Sequence, residues 1–274
     1  DLEKKKQIIS KEGKEKLHLL IDFDRTFIKE FVNGERIPSM ISILRDGSYL
    51  TPDYAEKAHA LFNKYHPIET NLKIPLKEKK KAMQEWWKTH FDLLIKCKLN
   101  KKDIEKVVKS EKIRLREGAL EFIDLLHKYN IPLIIMSSSG LGDGISLYLK
   151  NKGKLYYNIH IISNSFEWDK EGRALKIKEP IIHSMNKAEI VVKDYPVFKL
   201  IKNRKNVILL GDTLEDVDMI EGFDYKTLIK IGFLNKDVDQ NLEMYKKVYD
   251  IILLNDTNMN YINELLYKIL GPFT

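Results

Sequence analysis

Apolar residues gather along the chain in six short runs: Leu17 to Ile21, Leu133 to Met136, Ile159 to Ile162, Val207 to Leu210, Leu228 to Ile231 and Ile251 to Leu254. Runs of this length, without strict alternation, read as strands buried on both faces. Helical periodicity lies between them, over Glu117 to Tyr129, Leu141 to Asn151 and, more briefly, Glu215 to Gly222. In the first of these, Leu120, Ile123, Leu125 and Leu126 are expected to face the core. Alternating strands and helices with continuous apolar strands predict an α/β fold, a Rossmann-like parallel sheet covered on both faces. In such sheets ligands bind beyond the carboxyl ends of the strands. Several runs end there in polar residues: Asp22, Ser137, Ser163, Gly211-Asp212 and Asn255.

From about Pro38 to Ile113 the rhythm changes. This stretch lacks a convincing buried strand and carries long helical patterns over Thr51 to Tyr65, Leu76 to Cys97 and Lys101 to Ser110. Asn100 and Asp103 have the spacing of an N-terminal capping box. The expected organisation is an α/β core of residues 1–37 and 114–274, with a helical cap of residues 38–113 inserted after the first strand. An insert at that place can form a lid over the active edge. Asp169-Lys170-Glu171-Gly172 is a turn signal between two half-apolar runs, so a β-hairpin is predicted from Phe166 to Ile177.

Composition adds limits. The 274 residues suffice for one large domain or a core with an insert. The net charge is +7, but the lysines are scattered and the densest runs, Lys4 to Lys6 and Lys79 to Lys81, do not interleave with aromatics. A solvated basic surface explains this better than a nucleic-acid module, and the same field favours a phosphate-bearing substrate. The single cysteine, Cys97, excludes an intrachain disulfide and is expected to be a buried, inert thiol. No apolar run is long enough to span a bilayer, and no signal-peptide pattern opens the sequence as given. A cytoplasmic monomer, bound neither to nucleic acid nor to membrane, is the expectation.

Candidate chemistry sits at the strand ends. Asp22 and Asp24, in Asp22-Phe23-Asp24-Arg25-Thr26, follow a buried strand. Two carboxylates there are costly unless a cation or proton balances them. One can attack phosphorus; the other can protonate the leaving oxygen and later activate water. Such pairs also occur on solvated loops, so the motif alone decides little. Gly211-Asp212-Thr213 closes another strand, and Asp212 can share a magnesium ion with Asp22. Asp216 either supports that site or simply suits a helix N-terminus. The hydroxyls and N–H groups of Ser137-Ser138-Ser139-Gly140 can bind phosphate oxygens, although such turns are common without a ligand. Lys187 becomes informative only beside aspartates, where it would hold them ionised and neutralise a phosphoryl group.

The order Asp-x-Asp-x-Thr, strand-Ser, Lys, Gly-Asp-x-x-x-Asp resembles the haloacid-dehalogenase-like superfamily. Longer strings resemble the cytosolic pyrimidine 5′-nucleotidases, the cytosolic 5′-nucleotidase III family. They include Lys64-Tyr65-His66-Pro67-Ile68-Glu69, Glu85-Trp86-Trp87, Leu115-Arg116-Glu117-Gly118, Asn130-Ile131-Pro132-Leu133, Ser163-Asn164, Ile182-His183 with Asn186-Lys187, Asn206 through Asp212, Ile231 through Asn235, and Tyr249-Asp250-Ile251. The resemblance implies magnesium-dependent hydrolysis of nucleoside 5′-monophosphates, UMP and CMP first, through an aspartyl-phosphate. It makes Asp22 the nucleophile and Asp24 the general acid/base, with Thr26 and Asp216 in support. Magnesium would be held by Asp22, the Asp24 main-chain carbonyl and Asp212. The phosphate would be gripped by Lys187 and by Ser137 or Ser138, the place directly after the strand favouring Ser137. Glu85 would contact the base; the alternative is an ordinary surface acid beside Trp86 and Trp87, which read as packing residues. Members of the family that act on 7-methylguanosine monophosphate, or transfer the phosphoryl group to a nucleoside, supply the alternative activity. A related small-ester phosphatase and a non-catalytic binding protein are the other readings; the full charged set argues against the latter. The chain departs from the family pattern in a longer serine turn, in Arg25, where an apolar residue is typical, and in Glu215, where glycine is common.

Overall fold

In the computed structural model all six apolar runs are strands of one parallel sheet. The structure describes every residue except 72, 140, 188–193, 222–223 and 272–274. The strands are β1 (Leu17–Asp22), β4 (Leu133–Ser137), β5 (Ile159–Ser163), β8 (Asn206–Gly211), β9 (Thr227–Leu234) and β10 (Ile251–Leu254), in the order β10-β9-β8-β1-β4-β5. The unbroken apolar runs hide a period of two. Leu17, Leu19 and Ile21 join one apolar layer with Leu133 and Ile135, while Leu20 joins the opposite layer with Ile134 and Met136. Both faces of the central strands are therefore covered, as a parallel sheet requires.

Strand order reverses at β1. The chain moves outward through β4 and β5 on one side and through β8, β9 and β10 on the other. Such a switch point opens a crevice at the carboxyl ends of the strands. Leu19 pairs with Leu133 and Ile208, and Asp22 with Met136, so Asp22 emerges between Ser137 and Asp212.

Between β1 and β4 lie a small hairpin, β2 (Phe31–Val32) with β3 (Glu35–Arg36), and the helices α2 (Met40–Asp46), α3 (Tyr54–Thr70), α4 (Leu76–Lys96) and α5 (Lys101–Lys109). Asn100 and Asp103 form the expected capping box. Helix α3 continues past Tyr65 through Pro67, with Thr70 Oγ1 donating to the His66 carbonyl at 3.0 Å. Apolar residues of α2, α4 and α5, among them Leu44, Phe91, Leu94 and Ile104, merge into the sheet's own core. The distal ends of α3 and α4 form a separate cluster around Tyr65, Met83 and Trp86. The predicted hairpin is present as β6 (Phe166–Trp168) with β7 (Ala174–Ile177), and Cys97 is buried.

The sheet is flanked by α6 (Ala119–Lys128), α7 (Gly144–Asn151), the short α8 (Phe198–Ile201), α9 (Val238–Val248) and α10 (Asn260–Leu270), and α1 (Leu2–Glu12) precedes β1. One expectation fails in α6. Leu120 is 39% exposed, and Phe122 takes the interior place with Ile123, Leu125 and Leu126. The short helix expected from Glu215 is a 3-10 segment, Leu214–Ile220; its expected end at Gly222 lies outside the described residues.

Candidate active site

The segment after β1 is clamped by aromatics. Phe23 and Phe27 are buried, edge to face at 6.3 Å, so the residues between them turn at the sheet edge. Arg25 adopts a left-handed conformation there (φ 60°, ψ −3°). This orients Asp22 and Asp24 toward the crevice without a helix of their own.

Asp22, Asp212 and Asp216 converge. Each offers a carboxylate oxygen within 4.8 Å of the others. Lys187 Nζ donates to Asp22 Oδ1 and, at 2.7 Å, to Asp216 Oδ1. Asp216 Oδ2 accepts from the N–H groups of Asp212 (3.0 Å) and Thr213 (2.9 Å), closing a capping box. Gly211 permits this approach, since a Cβ there would lie 2.3 Å from that of Asp216. Thr26 Oγ1 donates to Asp212 Oδ1 at 3.2 Å. Glu215 is exposed and does not crowd the cluster.

Three carboxylates, Asp22 and Asp216 buried and Asp212 half-buried, leave an excess of negative charge around one ammonium. Burial pushes the Asp22 carboxyl up to about 7; Lys187 opposes the shift while Asp216 and Asp24 add to it. Burial, with Asp216 and Asp22, also raises Asp212. Burial acts on Asp216 in the same sense, but Lys187 and Thr213 outweigh it and hold that carboxyl low. Lys187 is kept charged: Asp216 and Asp22 overcome the effect of burial. An all-oxygen set with surplus buried charge suits a hard divalent cation, which would reverse the upward shifts. Asp22 and Asp212 have oxygens to offer it; Asp216 has both of its oxygens engaged.

Asp24 stands beside this cluster. Burial raises its pKa, against a hydrogen bond from Ser139 Oγ to Oδ2 and the charge of Arg25. Its Oδ1 and the Ser137 hydroxyl are buried and make no hydrogen bond of good geometry among the described residues. Ser138 instead uses its carbonyl, which accepts from Asn164 Nδ2 at 2.7 Å.

Glu85 is not brought into this cluster. It projects from α4, 56% exposed at the side chain, and accepts from Tyr65 Oη and, at 3.4 Å, from Lys64 Nζ. Trp86 stacks on Tyr65 at 5.9 Å, consistent with its expected packing role.

Several supporting residues escaped the sequence reading. Arg116, 2% exposed, donates to the carbonyls of Arg25, Thr26 (2.7 Å) and Thr257 (2.6 Å) and to Asn235 Oδ1 (2.8 Å), and pairs with Asp256 at 2.9 Å. It ties the backbone around Asp24 to the loops after β9 and β10. Tyr245 and Tyr249 donate to the carbonyls of Asp212 and Thr213. Arg116, Asn164, Asn235 and Tyr249 all lie within the family-like strings, which was their only signal. Arg25, the departure from the family pattern, has an electrostatic reason. Its guanidinium lies near Asp212, Glu30, Asp24 and Asp22, and the buried Glu30 also pairs with Arg36 at 2.9 Å.

A parallel sheet whose switch point gathers aspartates and a lysine beyond the strand ends is a haloacid-dehalogenase-like fold. A HAD-family hydrolase from Salmonella enterica subsp. enterica serovar Typhi shares the fold at TM-score 0.54, with 17% identity over 94% of this chain and 72% of that one. Residues 25–270 match the family model for pyrimidine 5′-nucleotidase (UMPH-1). The 7-methylguanosine phosphate-specific 5′-nucleotidase of Gallus gallus is 34% identical over 96% of this chain and 91% of its own length. The crystal structure of cytosolic 5′-nucleotidase IIIB bound to cytidine superposes with TM-score 0.88 at 27% identity, covering 98% of this chain and 90% of that one. The chain belongs to the pyrimidine 5′-nucleotidase (UMPH-1) family and is a 5′-nucleotidase.

Proposed function

We propose that the enzyme hydrolyses nucleoside 5′-monophosphates through a phosphorylated Asp22. The Asp22 carboxylate attacks phosphorus, and the bond to the 5′-oxygen breaks as Asp24 gives that oxygen its proton. The nucleoside leaves. Asp24 then takes a proton from water, whose oxygen attacks phosphorus and releases phosphate and the Asp22 carboxylate. Lys187 and Ser137 hold the phosphoryl oxygens; the Ser137 hydroxyl, buried at the end of β4 beside Asp24, supports its choice over Ser138. Magnesium would be held by Asp22, Asp212 and the Asp24 carbonyl, and would supply charge neutralisation at the phosphoryl group.

The single observation that carries this reading is the Lys187 ammonium shared between Asp22 and Asp216 beside Asp212. Residues 38–113 act as the cap and present the base-reading group, Glu85. Pyrimidine monophosphates fit the family description and the cytidine-bound neighbour. A second substrate, 7-methylguanosine monophosphate, is favoured by the name of the Gallus relative and by Glu85 itself. That carboxylate is kept ionised by Tyr65 and Lys64, and a methylated guanine carries positive charge. A cytoplasmic location is favoured by the name of the cytosolic 5′-nucleotidase neighbour; in the described residues no helix is long and apolar enough to cross a membrane.

The test is phosphate release from a panel of nucleoside monophosphates with magnesium. CMP, UMP or 7-methylguanosine monophosphate should exceed p-nitrophenyl phosphate in kcat/KM. A panel in which no nucleotide does so overturns the proposal.

A further inference from the structure

The segment that delivers Lys187 has unusual anchorage. On the sheet side, Asn164, 1% exposed, accepts from the Ile182 N–H and donates to the Ile182 carbonyl, both at 2.8 Å, and its amide also holds the Ser138 carbonyl. Asn186 folds the segment on itself, accepting from the His183 N–H at 2.7 Å and donating to the Ile181 carbonyl at 2.8 Å. On the other side the segment reaches the helical insert. Ser184 Oγ donates to Glu69 Oε1 at 2.7 Å, and Glu69 Oε2 meets His66 Nδ1 at 3.2 Å. Met185 packs on the cluster of Tyr65, Met83 and Trp86. Tyr65, with Lys64, holds Glu85. Two residues after Met185, Lys187 touches Asp22 and Asp216.

One short strap therefore touches the base-reading cluster at Met185 and the nucleophile at Lys187. A bound base that orders Tyr65, Glu85 and Trp86 also orders the surface on which Met185 sits. Binding energy from the non-reacting part of a substrate is then spent on placing the group that meets the phosphate. We propose that Ser184 and Met185 are positioning residues that couple occupancy of the Tyr65–Glu85–Trp86 cluster to the placement of Lys187, and so set the preference for nucleotides over base-free phosphate esters. This rests on the reading of Glu85 as the base contact.

The experiment compares a nucleoside monophosphate with p-nitrophenyl phosphate, using the full chain with magnesium and the variants Ser184→Ala, Met185→Ala, Glu69→Gln and Glu85→Ala. Ser184→Ala and Met185→Ala should each lower nucleotide kcat about tenfold, the scale of one lost positioning contact. Their aryl phosphate kcat should stay within about twofold of the parent, because that substrate has no base to report. Glu69→Gln keeps an oxygen acceptor for Ser184 and should retain nearly the full nucleotide rate. Equal losses on both substrates, or a loss confined to nucleotide KM, would mean a merely structural or binding role and would overturn the inference. Undiminished nucleotide kcat in both alanine variants overturns it as well. Glu85→Ala separates the two levels. If it alone erodes the nucleotide preference, the coupling is wrong and the base contact stands. If it leaves the preference intact, the base contact fails and the coupling falls with it.

Discussion

The two ends of the candidate substrate site are built in opposite ways. At the nucleophile end, Asp22, Asp216 and Lys187 are almost wholly removed from water and bonded to one another. At the other end, Glu85 is 56% exposed and held by one tyrosine and one lysine. The first end needs a fixed charge arrangement, because a phosphoryl group is stabilised by groups that do not reorganise during reaction. On the proposed reading the second needs only to recognise a flat ring, and partial exposure leaves room for different rings. The contrast predicts that substitutions at the first end cost orders of magnitude in rate or several kcal/mol in stability, whereas those at the second shift selectivity.

The largest effect is expected for Asp22→Asn. An amide cannot attack phosphorus, so turnover should fall by at least about a thousandfold, no less than the middle of the range that an acid–base group contributes. The fold should persist, since the change removes surplus negative charge. Substantial phosphate release by the pure variant would contradict the assignment. Arg116→Met comes next and acts on stability. It leaves the Asp256 carboxylate with only the N–H groups of Glu30 and Phe31, and takes the guanidinium from the carbonyls of Arg25, Thr26 and Thr257. Breaking one side of a buried charge pair costs about 3–5 kcal/mol. Denaturant unfolding should register that loss, and a change below about 1 kcal/mol would show that the loop does not depend on it.

The same buried charge makes the nucleophile end sensitive to pH and metal. In the folded protein without a cation, Asp22 binds its proton with a pKa of about 7, against an ordinary 3.8. A raised pKa contributes stability that is present below about 4 and lost as pH rises through 7. Asp212 is shifted in the same direction, whereas Asp216 is shifted down and favours the folded state above its ordinary pKa. With chelator, the Asp22 and Asp212 contribution should therefore lower the melting temperature between roughly pH 5 and 8. Magnesium should raise it, and more at the alkaline end, where no proton has to be displaced. A magnesium increment that does not vary with pH would remove the cation from this cluster. Phosphate release in excess chelator at the full rate would remove it from the reaction.

How much of this was legible depended on whether the cause was local. The six strands were readable because a doubly covered strand needs an unbroken apolar run, and each left one. Their order was not, because the reversal at β1 is a property of crossovers. Helix α10 carries Ile262, Leu265, Leu266 and Ile269 on one face, a periodic signal as plain as that of α6. Helix α1 buries only Ile9, so its lysine-rich sequence gave little to read. Counting apolar residues places Leu120 inward, although Phe122 fits the same turn and occupies the core. Strand ends and motif order mark Asp22, Asp212 and Lys187, and the structure brings them together. Arg116 carries no such mark, since its partners Asn235 and Asp256 lie far along the chain and nothing near it in sequence shows that it will be buried. Ser139 was set aside in favour of its neighbours, yet it is the serine that reaches Asp24.

The smallest effect separates the two ends most finely. Glu85→Gln keeps an oxygen that can accept from a base edge but removes the charge. For CMP, whose ring is neutral, kcat/KM should change by no more than about threefold, near the lower range of a single neutral hydrogen bond. For 7-methylguanosine monophosphate, whose ring is cationic, the charge itself is lost, and a drop of about tenfold is expected, the weaker end of what charged hydrogen bonds contribute because Glu85 stays exposed. Added salt should narrow the gap, since exposed charges are screened. For p-nitrophenyl phosphate the substitution should be silent. If CMP and the methylated nucleotide fall equally, Glu85 reads shape or hydrogen bonding rather than charge. The preference among nucleotides would then have to be sought in the rings of Tyr65 and Trp86.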